Sequence, residues 1–175
     1  MTIGIDIDDT ITYTSMYANK LLKNDDVFNC VCDYHDLTID DYKLFINKYT
    51  REIYDFVPLK EDVIDVLQKW HNEGKRIIFI TARGRDNEDF TLARTALYFH
   101  SNNVYYDEII FKQKSKFDAC KKYGVDLFID DKEEVLDEIK ANNIKTLRIT
   151  QLSNSKHDTV KDWVDIYNYV EKVGE

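Results

Sequence analysis

Asp6 and Asp8 follow the apolar run Thr2-Ile3-Gly4-Ile5 and are separated only by Ile7; Asp9 and Thr10 come next. In extended backbone, residues two apart project to the same side. The spacing therefore aims two carboxylates at one place. Carboxylates held together at the rim of a core repel each other unless a cation neutralises them. A hard divalent ion such as Mg²⁺ prefers carboxylate, carbonyl and water oxygens, so this stretch suits one. Two later runs end in the same manner. Ile77-Ile78-Phe79-Ile80 stops at Thr81, and Val125 to Ile129 runs into Asp130-Asp131. Each stretch also has a plainer reading. The first could be a strand stopping at an acidic turn ahead of a capped helix. Asp130-Asp131 could open a helix, because Lys132-Glu133-Glu134 follows and acids favour that end. Thr81 could cap the Arg83-Gly84 turn.

These groups share a site only if the elements behind them converge. Apolar runs without alternation are typical of strands covered on both faces. Five such strands are expected, near residues 2–7, 76–81, 107–111, 125–129 and 144–149. Between them lie helical patterns at 61–70, 86–99, 115–123 and 133–141, with a last helix at 159–170. Strands alternating with helices imply a parallel sheet flanked by helices, an α/β, Rossmann-like fold. In such sheets ligands bind beyond the carboxyl ends of the strands, where the acids and Thr81 fall. Residues 13–57 contain no convincing strand and read as a small helical cap inserted after the first strand. The whole of 1–175 reads as a single domain.

The residues also resemble a known family. Asp6-Ile7-Asp8-Asp9-Thr10 matches the D-x-D-x-T motif of the haloacid dehalogenase-like (HAD) hydrolases. Ile77 to Thr81 looks like the second motif of that superfamily, a lysine before the fourth strand like its third, and Asp130-Asp131 like its fourth. The order and the compact size most resemble the 5'(3')-deoxyribonucleotidase type and its bacterial nucleotidase-like relatives. The resemblance implies a Mg²⁺-dependent phosphomonoester hydrolase working through an aspartyl-phosphate. Asp6 would be the nucleophile and Asp8 the general acid and base. Asp6, the Asp8 carbonyl and Asp130 would hold the metal, with Asp131 an orienting group behind them. Thr81 and the Ala82 N–H would bind phosphoryl oxygens. Lys116 is chosen as the phosphate-facing cation over Lys114, with Lys112 also in the basic turn. Thr10 and Arg83, and less so Arg85, are further candidates for contact with substrate or with the ligands.

The expected substrate is a small phosphate ester, first a nucleoside monophosphate and alternatively a sugar phosphate. A silent phosphate-binding protein is the third reading. Tyr13, Tyr17, Phe45 and Tyr49 could stack on a base, although aromatics at helical spacing more often pack a core. Trp163 reads as packing against the sheet, and the four histidines show no metal spacing. A net charge of -9 disfavours a nucleic-acid polymer as partner. The chain has 33% charged and 43% apolar residues, which is a globular composition. No membrane-length apolar run occurs, and three cysteines suit a reducing compartment, so a cytoplasmic location is expected. Oligomeric state is left open.

Overall fold

The computed structural model describes residues 1–84 and 89–174. All strands lie in one parallel sheet. β1 (Thr2–Ile5) is central, flanked by β2 (Arg76–Ile80) and β4 (Leu127–Asp130). β3 (Glu108–Ile110) lies outside β2, and β5 (Lys145–Ile149) outside β4. β6 (Asp158–Val160) completes the order β3-β2-β1-β4-β5-β6. The chain builds outward from β1 in one direction, then restarts on its other side with β4. That reversal opens a crevice at the carboxyl ends of β1 and β4.

Alternation along the strands feeds two cores. Ile3, Ile5, Ile77, Phe79, Leu127 and Ile129 face a core closed by α3 (Val63–Asn72) and α7 (Trp163–Gly174). There Trp70 and Trp163 are fully buried with ring centroids 5.9 Å apart. Ile78, Ile80 and Phe128 face the other core, under α5 (Lys116–Tyr123) and α6 (Glu133–Lys140). Gly4 has to be glycine. A Cβ there would lie 2.7 Å from the Phe128 ring on the neighbouring strand.

The six strands among the described residues exceed the five expected. β6 has three residues, two of them exposed, too short for periodicity to separate from the helix that follows. That helix starts at Trp163 rather than Thr159, and Asp162 caps it by accepting the Asp165 N–H at 2.8 Å. α4 (Asp89–Ser101) covers the described part of the helix read from Asp86. Residues 85–88, Arg85 among them, lie outside the described residues.

Between Thr12 and Leu59 the chain forms α1 (Thr14–Lys23), a single 3₁₀ turn at Tyr34–Asp36 and α2 (Ile39–Phe56). The outgoing and returning chains pair antiparallel at Thr12 and Leu59. Hydrogen bonds from Tyr13 N to Pro58 O (2.9 Å) and from Lys60 N to Ile11 O (2.8 Å) close this neck. The segment has its own core of Ala18, Leu22, Phe28, Tyr34, Phe45 and Ile53.

Candidate active site

Asp6 is the first residue beyond β1, and its N–H donates to Ile129 O at 3.0 Å. This bond prolongs the β1–β4 pairing and brings Asp6 beside Asp130, the last residue of β4. Lys116, the first residue of α5, reaches between them. Its Nζ donates to Asp6 Oδ1 at 2.6 Å and to Asp130 Oδ2 at 2.7 Å. All three side chains are buried. Below the ammonium lies the Phe128 ring, with its centroid 5.7 Å from Nζ. Lys112 and Lys114 are both exposed. Of the three lysines considered from sequence, Lys116 is the one placed against these acids.

Asp131 alters the expected ligand set. Oxygens of Asp6, Asp130 and Asp131 all lie within 4.8 Å of one another. Asp131 Oδ1 is buried without a hydrogen-bond partner among the described residues. That oxygen is free to serve a ligand, beside the orienting role expected for the residue. Its position is that of a third candidate ligand.

The electrostatics agree. Burial, together with the nearby charges of Asp130 and Asp8, pushes the Asp6 carboxyl up to about 7 despite Lys116. Burial and the charges of Asp130, Asp6 and Asp9 push Asp131 up to about 8. Burial works against the Lys116 ammonium, but Asp6 and Asp130 outweigh it and hold its pKa above the ordinary value. Of the three clustered carboxylates Lys116 bonds only Asp6 and Asp130, so negative charge is left unmatched, and one buried oxygen of Asp131 lacks a donor among the described residues. A hard divalent cation answers both deficits, so this donor set fits Mg²⁺.

Asp8 is held differently. Arg83 grips its carboxylate with two bonds, Nε to Oδ2 at 3.0 Å and Nη2 to Oδ1 at 2.6 Å. Thr14, the first residue of α1, donates to Oδ1 at 2.8 Å. Burial would raise the Asp8 pKa, but the charge and hydrogen bonds of Arg83, helped by Thr14, lower it below the usual carboxylate range. Arg83 was a candidate for reaching substrate, yet its guanidinium is committed to Asp8. Thr81 lies at the end of β2, buried, and its hydroxyl accepts the Arg83 N–H at 3.1 Å. The turn-capping reading of Thr81 therefore holds alongside its place at the rim, with Ala82 half-buried beside it.

Thr10 does not face an opening. It is fully buried, and its carbonyl accepts the Trp163 indole N–H at 3.1 Å. Of the aromatic residues considered for base stacking, Phe45 and Tyr49 serve the inserted segment. Phe45 is fully buried against Phe28 and Tyr49. The Tyr49 hydroxyl donates to buried Asp25 at 2.6 Å. Tyr13 donates to Glu61, and Tyr17 packs on the sheet core.

Two neighbours of the site, Lys60 and Asp9, were given no role from sequence. The Lys60 Nζ donates to the Asp9 carbonyl and feels the charges of Asp9 and Asp131. Its position just past Pro58, where the chain returns to the sheet, was the available signal. Asp9 sits in the left-handed region at φ 58, a conformation Asp tolerates. Its carboxylate accepts from the N–H (2.8 Å) and the hydroxyl of Ser15, pinning the start of α1.

No family model and no curated protein sequence matches the chain. Solved structures do match in shape. A predicted phosphatase from Clostridium acetobutylicum superposes with a TM-score of 0.69 at 13% identity, covering 98% of each chain. The fold is that of the haloacid dehalogenase-like hydrolases. A HAD-superfamily hydrolase from Ehrlichia chaffeensis gives 0.63 at 14% identity, over 99% of this chain and 97% of its own. A protein described as a predicted phosphoglycolate phosphatase, from Haemophilus somnus 129pt, gives 0.61 at 16%, over 99% and 97%. The HAD-like topology thus spans the whole chain, insertion included, while identities this low carry fold and not substrate. No described helix is long and apolar enough to cross a membrane.

Proposed function

We propose that this chain is a Mg²⁺-dependent phosphoric monoester hydrolase with Asp6 as nucleophile. One observation carries the reading. Asp6, Lys116 and Asp130 come from three separate elements, with Lys116 110 residues from Asp6, and meet in hydrogen-bonding contact at the crevice of the sheet. The Asp6 carboxylate attacks phosphorus and the bond to the leaving oxygen breaks, giving an aspartyl-phosphate. Asp8 gives that oxygen its proton, so a neutral alcohol departs. As a carboxylate, Asp8 then takes a proton from the water that attacks phosphorus; the bond from phosphorus to the Asp6 oxygen breaks, phosphate is released and the Asp6 carboxylate is restored. Arg83 and Thr14 stabilise Asp8 in this second, ionised form. Asp6, Asp130, Asp131 and the Asp8 carbonyl are the groups assigned to the metal. When bound, Mg²⁺ would offset the repulsion between a carboxylate and a phosphate dianion. Thr81, the Ala82 N–H and Lys116 are assigned to the phosphoryl oxygens, whose stabilisation is most of what such catalysis needs.

For substrate, we assign a small phosphate ester such as a sugar phosphate ahead of a nucleotide. Of the four rings considered for a nucleobase, Phe45 and Tyr49 are used inside the inserted segment, Tyr17 packs on the sheet core and Tyr13 bonds Glu61. A phosphoglycolate phosphatase description among the similar structures points the same way. A panel of sugar phosphates and nucleoside monophosphates separates the two by kcat/KM. Asp6→Asn tests the enzyme itself. It should abolish Mg²⁺-dependent hydrolysis of p-nitrophenyl phosphate while leaving circular dichroism unchanged. Undiminished activity in that variant refutes the assignment.

A further inference from the structure

Arg83 is buried, with 1% of its side chain exposed, and its guanidinium is held on several sides. Two of its nitrogens take both oxygens of Asp8. A third, Nη1, lies 3.3 Å from Thr95 Oγ1 on α4. Its face lies over the Tyr54 ring of α2, with Cζ 4.6 Å from the centroid. Its backbone is fixed too, since the N–H bonds to Thr81 and the carbonyl accepts the Lys112 N–H at 3.0 Å. Each guanidinium nitrogen thus has a partner, and a planar fork that meets both carboxylate oxygens sets orientation as well as distance.

From this geometry we infer that Arg83 is the positioning residue for Asp8, and that it joins the inserted segment to the proton-transfer step. The inference rests on the phosphatase reading above. Asp8 must present one oxygen to the leaving group, and proton transfer needs that oxygen within hydrogen-bond reach. The Asp8 side chain is a third exposed and leaves the backbone beyond the regular strand, so β1 alone does not fix its torsions. Arg83 fixes them from the β2 turn and Thr14 from the start of α1. Tyr54 comes from the far end of the insertion, so both legs of that segment bear on Asp8. A side chain placed to bind substrate phosphate would keep donors turned to an opening; Arg83 turns its fork to Asp8.

Leaving-group dependence tests this. An alkyl alcohol needs a proton to depart, whereas p-nitrophenolate does not. General acid help is commonly worth about 10²–10⁴ in rate. In single-turnover measurements with Mg²⁺, Arg83→Gln should slow alcohol release from glycerol phosphate by roughly 10²-fold and nitrophenolate release by less than about 5-fold. Retained nitrophenolate release shows in the same sample that the variant is folded. Arg83→Lys keeps the charge but loses the fork, and should recover only part of the loss. Placed on Asp8→Asn, Arg83→Gln should add nothing, because both act through one group. Equal loss on both substrates, or a loss that persists in the Asp8→Asn background, overturns the inference. Absence of any hydrolysis by the unaltered protein would instead overturn the phosphatase reading.

Discussion

Asp131→Asn is the substitution whose effect on stability should depend most on pH and on Mg²⁺. Asn keeps the shape of the side chain and removes its charge. With a chelator present, the folded chain crowds Asp131 against Asp130 and Asp6, and its pKa stands near 8 against an ordinary 3.8. The folded state therefore holds a proton that the unfolded chain gives up. Stability from this group is complete below about pH 4 and drains away as pH rises toward 8. Each pH unit separating the folded from the unfolded pKa is worth about 1.4 kcal/mol. The whole separation sets a ceiling that the interaction with Asp6 and partial exposure reduce, leaving about 2–4 kcal/mol. The variant escapes this penalty. In urea unfolding with chelator it should match the unaltered protein near pH 4 and exceed it by about that amount near pH 8. Saturating Mg²⁺ should shrink that lead. The unaltered protein gains about 2.7 kcal/mol at a hundredfold excess over Kd, and the variant, short of one ligand, gains less. Parallel pH profiles in chelator, or equal stabilisation of both proteins by Mg²⁺, would remove Asp131 from the metal site.

Lys116→Met should lower phosphatase turnover at least about 10²-fold, since a buried cation on the phosphoryl site is lost, while Lys114→Met keeps near-normal turnover; steady-state kinetics on both variants decides. Gly4→Ala should destabilise by about 1–3 kcal/mol in urea unfolding, because the new methyl meets the Phe128 ring at 2.7 Å. The same ring underlies Lys116, so its displacement should also reduce kcat.

What the sequence revealed follows from how each residue is attached. Asp6, Thr81 and Asp130 sit at or within a residue of a strand end, and strands here announce themselves as unbroken apolar runs. A parallel sheet then aligns their carboxyl ends whatever else packs around them. Lys116 was legible for a related reason. As the first residue of α5 it stands on the same rim, whereas Lys112 and Lys114 precede the helix and stay in solvent. β6 escaped because three residues at a sheet edge carry no period.

Arg83 and the aromatic residues of the insertion show where such reading stops. Spacing along α2 puts Phe45 and Tyr49 on one face, and they do share it. Periodicity says that a face is shared, not whether it turns toward the sheet or inward. Ala18 and Leu22 on α1 supply a complementary stripe, so Phe45 closes the segment's own core. The partner of Arg83 depends on packing of the same kind. From sequence, an arginine two residues past Thr81 could reach a substrate phosphate or base, or equally lie on the surface. The choice is made by α2, whose Tyr54 covers one face of the guanidinium, and by Thr95 of α4. Groups fixed by the strands lie at positions a sequence pattern can find. Groups fixed by contact between the insertion and the sheet need the fold. The residue inferred to aim the proton of Asp8 therefore became visible only when segments separated by 75 residues were seen together.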